Sequence, residues 1–132
     1  MALNALKQNR MMAHLISAIE RGDDIGHYGR LVFAIVARHF LPDDKLVGLL
    51  VRGGEEGEER ARALVAQVNA HDYNPPRRER ILEWQAKQDF PILPDPDDVD
   101  AANLYRDLEF PQHVYDRITE YYEQRGEAGA ST

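Results

Sequence analysis

Leu31-Val32-Phe33-Ala34-Ile35-Val36-Ala37 contains no polar side chain. A helix there is apolar on every side, so it belongs in the centre of a core with other helices wrapped around it. The run is far shorter than the ~20 residues needed to cross a bilayer. The stretch leading into it is different. His27 and Arg30 sit three apart and share one face of the first helical turn. A helix N-terminus favours negative charge, Arg30 is a permanent fork-shaped donor, and His27 can add a second. The pair therefore suits an anion. The competing arrangement has Arg30 pairing with Asp23 or Asp24 and His27 satisfied by backbone.

The rest of the chain supplies the wrapping. Met12, Leu15, Ile16 and Ile19 recur at helical spacing and predict a first helix over 5–20, ended by Arg21-Gly22-Asp23-Asp24. The central helix is expected from Tyr28 to Leu41, with Asp23 or Asp24 as its cap. Leu41-Pro42-Asp43-Asp44 breaks the chain and starts a short third helix, stopped by Gly53-Gly54. Ala61, Leu64, Val65 and Val68 form the stripe of a fourth helix. Asn74-Pro75-Pro76 is expected to start a fifth, with Ile81, Leu82, Trp84 and Gln85 inward or half inward. Three prolines make 90–96 an extended loop lined by Phe90 and Ile92. Asp97, Asp98 or Asp100 opens a sixth helix carrying Leu104, Tyr105 and Leu108, and Pro111 a seventh carrying Val114, Ile118, Tyr121 and Tyr122. The expectation is all-α: one bundle of about six to seven helices over 1–125 and a flexible tail at 126–132.

Several chemistries are excluded or disfavoured. There is no cysteine, hence no disulfide, thiolate metal site or thiol nucleophile. The five histidines include no pair at metal-ligand helical spacing. The acidic run from Asp95 would need glycine at its sixth and glutamate at its twelfth position to bind calcium, and it has Asp100 and Arg106. Helix capping and solvation explain that run. No glycine-rich phosphate loop or activated serine is present, so an enzyme is not expected. The net charge of −7 opposes general polyanion binding but permits a local basic site. Arg77, Arg78 and Arg80 open the fifth helix at the end its dipole disfavours. Either they serve a ligand, or they form a solvated face with Glu79 and Glu83 as partners. The polar N-terminus is unlike a signal peptide, and a cytoplasmic location is the default.

The order of these segments resembles the C-terminal helical domain of the large subunit of archaeal and eukaryotic DNA primases. The resemblance runs from Met11 to Tyr122 and rests on an early helix, then His27-Tyr28-Gly29-Arg30 opening an apolar helix, then a short helix after a break. Asp72-Tyr73-Asn74-Pro75-Pro76 resembles the family's Tyr-x-Pro-Pro stretch, and Arg106-Asp107-Leu108-Glu109-Phe110-Pro111 its C-terminal part. The resemblance implies a non-catalytic accessory module of a primase-polymerase. Such a module grips template DNA and the 5′-triphosphate end of the initiating nucleotide or primer, while a partner subunit or domain holds the catalytic magnesium. By the same resemblance His27 and Arg30 contact phosphate, helped by Arg77 and Arg78.

Two departures qualify that implication. The family commonly holds a four-iron cluster through four cysteines. Here the first position is Met11 and the others fall near Arg77 or Arg78, Leu93 and Ala102, so no iron–sulfur cluster can form. Apolar packing around Met11, Leu93 and Ala102 has to replace it. Two basic positions upstream of the family's histidine are Asp24 and Gly26. These changes, with the acidic total, favour the alternative: a degenerate scaffold that binds protein partners and no nucleic acid.

Overall fold

The computed structural model describes residues 2–54, 57–95, 97–98 and 101–117, and these are all-helical, with no strand among them. The helices are α1 (Ala2–Leu6), α2 (Arg10–Arg21), α3 (Gly26–Ala37), α4 (Asp43–Arg52), α5 (Glu58–His71), α6 (Arg78–Gln85) and α7 (Leu104–Asp107). A further helical stretch covers residues 112–117. Helix α3 is the axis. It packs on α2, α4, α5 and α6, and Val32, Phe33, Ala34, Val36 and Ala37 are fully buried. Burying each large side chain of this kind contributes roughly 1.5–3 kcal/mol. All of the buried apolar residues form one core, giving a compact single-domain bundle.

The boundaries differ from the periodicity in four places. The first helix is two, because Asn9 interrupts it. Asn9 is fully buried, and its Oδ1 accepts from Met12 N at 3.0 Å as the N-cap of α2. Its amide donates to Ala101 O and Asp107 Oδ2 at 2.9 and 3.0 Å, so one side chain starts α2 and ties down α7. At the other end of α2, Gly22 adopts φ +81°, and Gly22 N and Asp23 N return to Ile19 O and Ala18 O.

The central helix begins at Gly26 and ends at Ala37, not at Leu41. The residue before a proline avoids the helical region, and the chain tightens early: His39 N and Phe40 N bond back three residues, to Val36 O and Ala37 O. The two prolines do not open α6. Tyr105 Oη donates to Pro75 O at 2.6 Å, which holds that carbonyl outside the helix, and Arg77 becomes the N-cap residue. The sixth helix shrinks to Leu104–Asp107, capped by the Asn103 side chain. Asp98 pairs with Arg10 at 2.8 Å instead. Ile118, Tyr121, Tyr122 and the expected tail at 126–132 lie outside the described residues.

The described part of the proline-rich loop is non-helical, as expected, but it bends at 92–94 where an extended run was expected. Ile92 and Leu93 are fully buried, Phe90 stacks on His14 with centroids 5.3 Å apart, and Leu93 N donates to Gln85 Oε1 at 2.7 Å. Met11, Leu93 and Ala102 are all buried members of the single core.

Candidate functional site

The entrance of α3 is where sequence reasoning put an anion, and the chain fills that place itself. Asp24 Oδ1 accepts from Gly26 N at 2.8 Å. Gln88 reaches in from beyond α6: its Oε1 accepts from Tyr28 N at 2.8 Å, and its Nε2 donates to Ile25 O and Phe90 O, both at 2.9 Å. Room for that amide exists because residue 26 has no side chain, since a Cβ there would lie 2.5 Å from Gln88 Oε1. Gly26 also sits at φ +79°, a region L side chains avoid.

Arg30 turns inward. Only 7% of its side chain is exposed, and Nη1 contacts Asp24 Oδ1 at 3.0 Å and Gly53 O at 3.4 Å. The same Gly53 carbonyl accepts from Ile25 N at 2.9 Å, so the end of α4 and the start of α3 are fastened together. Gly54 lets the guanidinium pass, because a Cβ there would overlap Arg30 Nη1. A carboxylate at a helix N-terminus is the expected electrostatic solution; here it comes from Asp24.

His27 goes elsewhere. It is exposed and lines a hollow of about 240 Å³ with Arg60, Leu64 and Gln67 of α5. Residues three apart on a helix still diverge by about 60° around the axis. That angle sends Arg30 towards α4 and His27 towards α5, so the two do not form one site.

Arg77 and Arg78 border other hollows. Both line one of about 340 Å³ beside Asn103 and Tyr105. Burial pushes the Tyr105 hydroxyl up to about 12, against the opposing pull of Arg77 and Arg117, so it stays a proton donor to Pro75 O. Arg77 also lines a second hollow, of about 430 Å³, with Arg80, Tyr73 and Trp84 as its polar and aromatic wall and Ile35 and Pro76 below. Arg80 pairs with Glu83 at 3.6 Å on the exposed face. Among the described residues no group of three or more His, Cys, Asp or Glu side chains could hold a metal ion.

With the geometry in place, likeness to known proteins adds little. No family model matches the chain, and no solved structure does. Two curated proteins are similar over part of it: cellulose synthase operon protein C of Komagataeibacter xylinus and that of Komagataeibacter sucrofermentans. Each is 29% identical over 76 residues, which is 58% of this chain and 6% of the relative. That likeness assigns no family. It spans too small a part of either relative to carry over an activity.

Two of these hollows therefore define the candidate site, and each takes one lining residue from α3. His27 and Ile35 lie eight residues apart, about 12 Å along the helix. One hollow lies against α5 and the other against α6. Among the described residues their linings include Arg60, Arg77 and Arg80, the last paired with Glu83, in a chain whose net charge is −7. Sequence reasoning missed Arg60 and Gln67, because nothing in the α5 stripe points to His27. It had Trp84 as half-inward packing and did not join it to Tyr73.

Proposed function

We propose that the chain is a non-catalytic accessory module of a primase-polymerase, contacting template DNA and the 5′-triphosphate end of the initiating nucleotide or primer. The observation that carries this reading is the local charge: Arg60, Arg77 and Arg80 line two hollows along α3 of an acidic protein. The resemblance of the segment order to the primase large subunit supplies the class of partner, a catalytic subunit or domain that holds magnesium. In this reading His27 keeps its role with Arg60 beside it, Arg77 acts with Arg80, and Arg78 borders the same basic end of α6. Arg30 acts at one remove, by holding the entrance of α3 in shape.

Fluorescence anisotropy on template–primer ends with a 5′-triphosphate or a 5′-hydroxyl tests this. The expected outcome is a triphosphate preference that weakens with salt and falls in His27→Ala and Arg60→Ala, both exposed positions. Equal or absent binding of both ends refutes it. That result would favour the second reading, a scaffold for protein partners. The occupied entrance of α3, closed by Asp24 and Gln88, supports that alternative.

A further inference from the structure

The hollow between Tyr73 and Trp84 has a construction that plain packing does not require. Tyr73 is the large apolar side chain left exposed among the described residues. Each of the two rings is backed by another: Tyr73 stacks on His71 at 5.2 Å and 20°, and Trp84 stacks on Tyr28 at 6.1 Å and 18°. Backing fixes both rings in place before anything enters, so little side-chain freedom is lost when a flat ligand arrives. Ile35 and Pro76 supply an apolar floor, and Arg77 and Arg80 stand at the rim. At about 430 Å³ the space falls within the roughly 300–1,000 Å³ of sites that take small planar ligands.

A flat ring needs the aromatic walls, and the rim arginines ask for a negative group attached to it. Arginine itself can also lie over a base. Nucleobases meet both demands, because every base has a stacking face and carries a phosphate close by. Duplex DNA does not, since its bases are already stacked and covered. We infer that the Tyr73–Trp84 hollow accepts one unpaired base of a single strand by stacking, with Arg77 and Arg80 on the adjoining phosphates. The inference rests on the nucleic-acid reading proposed above and adds to it a site that grips bases as well as backbone.

Trp84 is the sole tryptophan, so its emission reports directly on this hollow. The full chain is titrated with a short oligothymidylate, with a strand of equal length made of abasic residues, and with thymidine monophosphate. Oligothymidylate should quench Trp84. The abasic strand should bind roughly tenfold more weakly and leave the emission unchanged. Tyr73→Ala should lose about tenfold in affinity for oligothymidylate and nothing for the abasic strand, and Tyr73→Phe should restore it. Far-UV circular dichroism checks that the exposed substitution leaves the fold intact.

Salt-sensitive binding of both strands with equal affinity and unchanged Trp84 emission would overturn the stacking site while leaving the accessory reading standing. Binding of neither strand would remove the nucleic-acid reading and this inference with it. Equal quenching by thymidine monophosphate at the same base concentration would make the hollow a free-nucleotide pocket and overturn the strand proposal.

Discussion

Gly26 and Gln88 are sixty-two residues apart in the sequence, yet replacing one should erase the effect of replacing the other. Gln88→Ala removes three hydrogen bonds, to Tyr28 N, Ile25 O and Phe90 O. At about 0.5–1.5 kcal/mol each, and with partial access to water for the groups left behind, the cost is about 2–3 kcal/mol. Gly26→Ala adds about 1 kcal/mol for a Cβ at φ +79° and, because that Cβ would sit 2.5 Å from Oε1, expels the same amide. Its total is about 3–4 kcal/mol. In the double variant the amide is already gone, so the cost is again about 3–4 kcal/mol, not the 5–7 kcal/mol of two independent changes. The coupling is therefore about 2 kcal/mol. Urea denaturation followed by far-UV circular dichroism on the four proteins measures it. Additivity to within about 0.5 kcal/mol would show that the Gln88 amide does not occupy the entrance of α3, and the account of a self-filled anion position would fall.

Arg30→Ala should destabilise by about 2–3 kcal/mol. This is the low side of the loss from breaking a buried ion pair, because Asp24 is more than half exposed and can rehydrate. Thermal melts check it, and an unchanged midpoint combined with lost strand binding would instead make Arg30 a ligand contact. His39 gives a pH dependence. Burial first, then Arg38, His113 and Arg117, lower it to about 4 against the opposing pull of Asp72. The unfolded chain takes up that proton near pH 6.5, so the contribution is whole above 6.5 and is lost as pH falls towards 4. The gap sets a ceiling of about 3 kcal/mol, and partial solvent access brings it to about 1–2 kcal/mol. Urea midpoints at pH 7 and pH 5 should converge in His39→Gln relative to the parent, and parallel slopes in both proteins would refute this.

The fold was legible where apolar spacing decided it. The run 31–37 became the buried axis, and the α2, α4 and α5 stripes face it. Boundaries set by polar side chains were not legible, because their partners lie far along the chain. Asn9 splits a periodic helix through Ala101 and Asp107, and Tyr105 delays α6 through Pro75 O. The site shows the same division. The electrostatic demand at the α3 entrance was readable from His27-Tyr28-Gly29-Arg30 and the acids before it, and so was Asp24 as a partner for Arg30. The divergence of His27 from Arg30 was not, because it depends on which neighbours α4 and α5 offer. Gln88 was invisible for the same reason: no local pattern marks an amide that caps a helix across sixty residues of chain.

Asp72 has a consequence for how distant parts of the chain hold together. Its carboxylate receives Arg38 at 2.7 Å and also Arg117, while Arg38 reaches on to Tyr73 O. Three stretches from the first, middle and last thirds of the chain meet on that one group. Arg117 reaches Asp72 across 45 residues and Arg38 reaches it across 34, so the two closures cost nearly the same loop entropy. One carboxylate thus fastens the end of the central helix and the helical stretch at 112–117 to the same turn, and losing it would loosen both at once.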